Sequence, residues 1–307
     1  DIKCIRPFGC CMMHCMEAIQ LITPRDNYIL DGLVYGRAGA KRGYIFIHGL
    51  ESSAFSGHKI LAPLADGDTQ VLYFNNRGHD TLTGIQQVAD SKKGYTWAAG
   101  GAAREVFTDC TDDIAGAVGF LKERGATDIV LVGHSTGCQK AVYALGQPEA
   151  DAAVTGAVLL CPMSDYAAMK QEVEAEIFQR AAAAARQLVT NGKPMALLDE
   201  ADWPEVVSAQ RWISLYSGDG PEETFPYAFE DRQPSALQAV RVPVLVLIAG
   251  ADEYIDRPVG ELVDWFEGAL ARRNGQVAVI KDSLHNLKGS EAEIGNLILQ
   301  WRSKLID

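Results

Sequence analysis

Ser135 stands in Gly133-His134-Ser135-Thr136-Gly137, directly after the apolar run Asp128–Val132 and directly before the helical pattern Cys138–Leu145. A Gly-x-Ser-x-Gly string is weak alone, but a strand before it and a helix after it are the setting of a nucleophile elbow. The plain alternative is a serine in a glycine-rich turn. In an elbow the glycines leave room for a tight reversal, and the serine sits at a helix N-terminus, whose dipole favours developing negative charge.

A serine hydroxyl needs a base, and an imidazole suits that task near neutral pH. Of the six histidines, His285 follows the last strand pattern in Asp282-Ser283-Leu284-His285-Asn286-Leu287, ahead of the final amphipathic stretch Ser290–Leu305. That loop returns to the carboxyl ends of the strands, where sites in open α/β sheets lie. His134 lies inside the elbow, His48 ends a strand and His58 starts a helix. His79 is a rival base in Asn76-Arg77-Gly78-His79-Asp80, where Arg77 and Asp80 suggest a local ion-pair network.

The imidazole in turn needs a carboxylate to fix its tautomer and stabilise its charged form. Asp252 follows the apolar run Pro243–Ala249, giving the order Ser, Asp, His. Glu253, Asp256 and Asp165 remain alternatives for the acid. The chemistry these residue types would support is acyl transfer through a covalent intermediate, with the N–H groups of Thr136 and Leu50 as oxyanion donors. Leu50 belongs to the turn His48-Gly49-Leu50-Glu51.

The elements that must carry these residues are legible as short β-rich runs at Ala18–Thr23, Tyr28–Tyr35, Gly43–His48, Gln70–Asn75, Asp128–Gly133, Thr155–Cys161, Pro243–Ala249 and Gln276–Lys281. The first two read as a hairpin turning at Pro24–Asn27. The later runs are continuously apolar, as parallel strands covered on both faces require. Between them lie amphipathic stretches, the clearest being Phe107, Cys110, Ile114, Ala117, Val118 and Leu121. The pattern predicts an α/β fold with an eight-stranded, mostly parallel sheet and helices on both faces.

The alternation breaks between Cys161 and Pro243, a span of roughly 80 residues that is too long for a bare loop. Met163–Val189 and Glu205–Leu215 look helical, so residues 163–241 are expected to form a helical cap between the sixth and seventh strands, over a core of 17–162 and 242–307. Glu51, Tyr95, Trp97, Tyr166, Trp203 and Trp212 are candidates to border a substrate. The alternative for the aromatics is that they pack the cap onto the sheet, with no more than two touching a ligand.

Composition narrows the partners. With 28 basic and 40 acidic residues the net charge is −12, which repels phosphate backbones and anionic lipid, so no nucleic acid or membrane partner is expected. The longest apolar stretches, such as Val242–Ala251, are too short to cross a bilayer. Residues 1–16 read as an unstructured or appended extension. Cys4, Cys10, Cys11 and Cys15 crowd there beside His14, but their spacing matches no ordinary zinc pair, so no metal is assigned. The odd total of seven cysteines argues for a reducing, cytoplasmic setting. A homodimer is left open.

From about Glu17 to the end, the ordered motifs resemble the α/β-hydrolase superfamily. The finer texture, GHSTGCQKAVYAL, AVLLCPMSD, AGADEYID and HNLKGSEAE, is similar to the branch of fungal siderophore (fusarinine) esterases and their bacterial relatives. That resemblance implies hydrolysis of a small carboxylic ester without metal or organic cofactor, with Ser135, Asp252 and His285 as the catalytic residues. The turn at His48-Gly49-Leu50-Glu51 resembles general esterases equally. An acyltransferase, a thioesterase or a non-catalytic binding protein could share the same fold.

Overall fold

The computed structural model describes residues 16–271 and 275–305; the expectation about the N-terminal extension and its cysteines therefore lies outside the described residues. The chain opens with the antiparallel hairpin β1 (Met16–Ile22) and β2 (Tyr28–Tyr35). Strands β3 (Arg42–Ile47) and β4 (Thr69–Phe74) follow in parallel. A second hairpin, β5 (Thr83–Val88) and β6 (Tyr95–Gly100), extends the antiparallel side. The remaining strands β7 (Asp128–His134), β8 (Val154–Leu160), β9 (Val244–Ala249) and β10 (Gly275–Ile280) pair in parallel.

The order is β10-β9-β8-β7-β3-β4-β2-β5-β6, with β1 pairing β2, so the sheet has ten strands rather than the expected eight. Hairpin β5–β6 is the addition. Ile85 is the only buried side chain of β5, and β6 buries only Gly100, so neither strand carries the apolar run by which a central strand is recognised.

Helices α1 (His58–Leu61), α2 (Cys110–Glu123) and α3 (Thr136–Gly146) fall between strands, and α8 (Val259–Leu270) and α9 (Glu291–Ser303) pack the last two. Strand β9 shows why both faces are covered. Val244, Val246 and Ile248 join Ile114, Val142 and Phe266 on one side, while Leu245, Leu247 and Ala249 join Ile60, Ile298 and Trp301 on the other. Alternate side chains of one strand feed two cores. The predicted apolar series of α2 is buried, with Phe107 in a 3₁₀ turn just ahead of the helix.

Between β8 and β9 lie α4 (Asp165–Glu172), α5 (Ala175–Thr190), α6 (Ala209–Tyr216) and α7 (Ser235–Ala239). The expected helix at Met163–Val189 is two helices, broken at Val173 and Glu174. The one expected at Glu205–Leu215 starts later, where the Ser208 side chain accepts from the Arg211 N–H and caps α6. This insertion has its own core, in which Trp203, Trp212 and Tyr216 meet edge to face or tilted around Ala181 and Ala185. Trp203 and Trp212 are 1% and 0% exposed, so they pack the insertion rather than border a cleft. Among the described residues no helix is long and apolar enough to cross a membrane.

The insertion also holds a buried acid. Ser164 caps α4 by accepting from the Ala167 N–H and donates its own hydroxyl to Glu223 Oε2 at 2.8 Å. Burial pushes the Glu223 carboxyl up to about 8; the Ser164 hydrogen bond opposes this and the Asp165 charge adds to it.

Two outcomes follow for stability. Trp212→Ala, which empties the space of a fully buried indole, should cost about 3–5 kcal/mol, read as a fall in the urea midpoint. The folded pKa of Glu223 lies above the ordinary 4.5, so its contribution is intact below that value and is lost as pH rises through about 8. Glu223→Gln cannot ionise and should gain on wild type by about 1.4 kcal/mol per pH unit across that window, measured as urea midpoints at about pH 5 and about pH 8.

Candidate active site

Strand β7 ends at His134 and α3 begins at Thr136, which leaves Ser135 alone to make the reversal, with φ 55° and ψ −126°. An L-residue there is strained, and such strain persists only where the surroundings enforce it. The glycines do the enforcing by their lack of side chains. A Cβ on Gly133 would lie 2.4 Å from the Gly137 carbonyl oxygen, one on Gly137 2.0 Å from the Ile47 oxygen, and one on Gly49 2.9 Å from Ser135 Cβ.

The loop after β9 supplies Asp252 and the loop after β10 supplies His285. Both side chains are buried, and His285 Nδ1 lies 2.8 Å from Asp252 Oδ2. The second carboxylate oxygen accepts the Tyr254 N–H at 3.0 Å. Glu253, an alternative acid in the sequence, accepts the backbone N–H of His285 at 2.9 Å instead of touching its ring. With Nδ1 donating to Asp252, Nε2 is the nitrogen available to take a proton, and it has no partner among the described residues. The Tyr254 ring meets the imidazole edge to face at 4.9 Å.

His134 has a role that its sequence position did not reveal. Its Nε2 lies 2.8 Å from the His285 carbonyl, which can only accept, so Nε2 carries the hydrogen. Burial, with the neighbouring His285 charge, lowers the His134 pKa to about 4 and keeps its ring neutral. His48 is fully buried and lowered to about 3 by burial and then by the Lys140 charge. Its Nδ1 donates to the Gly49 carbonyl at 2.9 Å, and its Nε2 accepts the Asn76 N–H at 3.2 Å, which fixes the tautomer under the turn. His79, the rival base, bonds Asp80 at 2.9 Å and lies outside this cleft. Arg77 pairs with Asp113 and Asp26 rather than with Asp80.

Ser135, His134 and His285 border one cavity of about 360 Å³ with Gly49, Leu50, Glu51 and side chains of the insertion. No hydrogen bond joins Ser135 Oγ to the imidazole, a spacing often seen before substrate binds. The backbone N–H groups of Leu50 and Thr136 are likewise without partners among the described residues. A larger cavity, about 560 Å³, lies between α2 and α3, but among the described residues no serine, cysteine or histidine borders it.

None of the five predicted aromatics borders the cleft of Ser135 and His285. Tyr95 and Trp97 pack edge to face on hairpin β5–β6, where Trp97 is 60% exposed. Tyr166 stacks on Phe229 at 4.9 Å and faces a different depression. The aromatic residues of the cleft are Tyr216 and Tyr254. Asp165, another alternative acid, lines the cleft wall, where its Oδ2 accepts from Gln139 Nε2 at 2.6 Å. Burial raises it to about 7, with the Glu222 charge adding.

Behind that wall, Lys140 of α3 pairs with Glu105 at 2.6 Å, and Arg211 of α6 pairs with Glu105 at 2.9 Å and with Glu222 at 2.5 Å. Cys161, Asp252 and His285 place potential metal ligands within 4.8 Å of one another. A metal there would have to displace the Asp252–His285 hydrogen bond, and burial holds the Cys161 thiol well above its usual range, against the thiolate that a soft metal requires.

Solved structures show the same fold over nearly the whole chain. One titled as DcsB in complex with its substrate analogue aligns with a TM-score of 0.66 at 16% identity, covering 94% of this chain and 99% of the other. The siderophore hydrolase EstB from Aspergillus fumigatus gives 0.63 at 18% identity, covering 94% and 97%. The carboxylesterase CesB (YbfK) from Bacillus subtilis gives 0.54 at 18%, covering 93% and 91%. No curated protein matches the chain in sequence. The ten-stranded architecture is thus an α/β-hydrolase fold. A family model matches residues 79–302, a span that holds Ser135, Asp252, His285 and the whole insertion, and the chain belongs to that family, described as "Protein of unknown function (DUF1749)".

Proposed function

We propose that this protein hydrolyses a small carboxylic ester through an acyl-enzyme on Ser135. The observation that carries the reading is the strained Ser135 elbow facing, across one cleft, an imidazole whose Nδ1 is tied to Asp252 at 2.8 Å. His285 Nε2 takes the hydroxyl proton as Ser135 Oγ bonds to the ester carbonyl carbon, and Asp252 stabilises the imidazolium. The N–H groups of Leu50 and Thr136 receive the oxyanion. The C–O bond to the alcohol then breaks, and the alcohol leaves with the proton from Nε2. Water repeats the sequence: His285 accepts its proton, the hydroxide oxygen bonds to the acyl carbon, the acid departs, and the proton returns to Ser135.

The insertion supplies one wall of the cleft through Met163, Asp165, Met169, Glu172, Glu205 and Tyr216. In this reading residues 163–241 act as a cap that selects substrate, and 17–162 with 242–307 form the catalytic core. Hydrolase and esterase names among the structural neighbours accord with it.

A fluorophosphonate probe should label the wild type and leave Ser135→Ala unlabelled; equal labelling of the two would reject the reading. On p-nitrophenyl acetate, Ser135→Ala and His285→Ala should each lower kcat by about three orders of magnitude or more, with KM little changed.

A further inference from the structure

The cleft qualifies as a binding site because it holds Ser135 and His285, and the rest of its lining restricts what can occupy it. Among the described residues, and besides the two imidazoles, the carboxyl and cationic side chains that border it are all acidic: Glu51, Asp165, Glu172 and Glu205, with no lysine or arginine. Tyr216 and Tyr254 complete the lining that concerns charge, since aromatic faces attract cations. None of the four carboxyl groups takes part in a salt bridge among the described residues, although the chain pairs many of its other acids.

The nearest buried cations do not offset this. Lys140 and Arg211 lie behind the wall and are matched by Glu105 and Glu222, two positive charges against two negative. Glu51, Glu172 and Glu205 are exposed at the rim, while Asp165 sits deeper. The charges sense one another: the Glu205 carboxyl is raised first by partial burial, then by Glu51, with Glu172 contributing too. Glu51, Glu172 and Glu205, free of salt bridges among the described residues and sharing one concave space, favour a cationic occupant, and they disfavour anions such as acyl-CoA or a free dicarboxylate.

We infer that the ester this cleft accepts carries a cationic group, an ammonium on its acyl or its alcohol portion, held by Glu51, Glu172 and Glu205 against Tyr216 and Tyr254. This rests on the esterase reading of the same cleft and adds the charge class of its substrate. A neutral ester would still react, since the carbonyl chemistry belongs to Ser135 and His285, but it would forgo the rim attraction. Raised ionic strength should weaken the preference, because the rim is exposed and its field is screened.

The test uses matched pairs that differ only in charge. On the alcohol side, 2-(trimethylammonio)ethyl butanoate is compared with the uncharged isostere 3,3-dimethylbutyl butanoate. On the acyl side, the p-nitrophenyl ester of 6-(trimethylammonio)hexanoic acid is compared with that of 7,7-dimethyloctanoic acid. The cationic member of at least one pair should show kcat/KM higher by about tenfold. Which pair responds identifies the portion that bears the charge. In Glu172→Gln/Glu205→Gln that ratio should fall toward unity.

Equal kcat/KM within both pairs, or a ratio unchanged in the double variant, overturns the inference. Labelling by a neutral fluorophosphonate keeps the two ideas separate. A protein that labels at Ser135 but shows no charge preference retains the esterase reading and loses this inference, whereas failure of the probe to label at all strikes the esterase reading first. Phenyltrimethylammonium should also slow that labelling competitively, and no protection up to its solubility limit would count against a cation site.

Discussion

A single backbone geometry organises the functional half of this molecule. Ser135 holds a positive φ that an L-residue ordinarily avoids, and it can do so because three glycines leave no atom where one would obstruct the turn. Gly133 and Gly137 let β7 and α3 meet at the reversal, and Gly49 lets the end of β3 pass against Ser135 itself. The close approach of Gly137 to the Ile47 carbonyl also locks the elbow to the strand that leads into the Leu50 turn. Ser135 and the proposed oxyanion donors therefore share one rigid support, as electrostatic preorganisation requires.

The second requirement is an imidazole held in one tautomer and one place. Asp252 takes Nδ1, Glu253 takes the backbone N–H, and His134 donates to the backbone carbonyl of the same residue. Two elements, the loop after β9 and the end of β7, thus grip His285 at three points, and only Nε2 is left over. The buried rings of His134 and His48 serve this best when uncharged, and desolvation keeps them so. An imidazolium in either position would place a positive charge near Ser135 and His285, where it would oppose the protonation of His285 that the proposed reaction needs.

Much of this was legible in the sequence, for a physical reason. Strands buried on both faces must be continuously apolar, so β3, β4, β7, β8 and β9 announced themselves, as did the loops at their carboxyl ends; the edge strand β10 buries only Ile280 but keeps the short apolar run Val277–Ile280. Hairpin β5–β6 did not announce itself, because a strand that buries only Ile85 has neither a run nor a firm alternation to read. Asp252 reads as the acid in the sequence, with Glu253 beside it as an alternative; adjacent side chains leave one loop in different directions, and the loop's path is what brings Asp252 to the ring. The aromatics named as candidates for the cleft carry packing of the cap as their alternative, and residue type alone does not separate the two. Trp203 and Trp212 fill the insertion's core, and the smaller Tyr216 and Tyr254 reach the cleft.

What joins the insertion to the elbow is a buried chain of charge rather than apolar contact alone. Lys140, one turn into α3 from Ser135, meets Glu105; Glu105 meets Arg211 on α6; and Arg211 meets Glu222. Asn76 extends the chain to the turn, since its Oδ1 accepts from Lys140 Nζ and its N–H donates to the His48 ring. Burying four charges carries a large desolvation cost, and apolar residues of similar volume would often be as stable. Apolar packing, however, tolerates small slides that a charge-assisted hydrogen bond at 2.5–2.9 Å resists. The network thus fixes the height of α6, and with it Tyr216 and the adjoining Glu205, relative to Ser135. The proposed reaction, with a cationic substrate held at the rim and attacked from Ser135, needs that separation held constant.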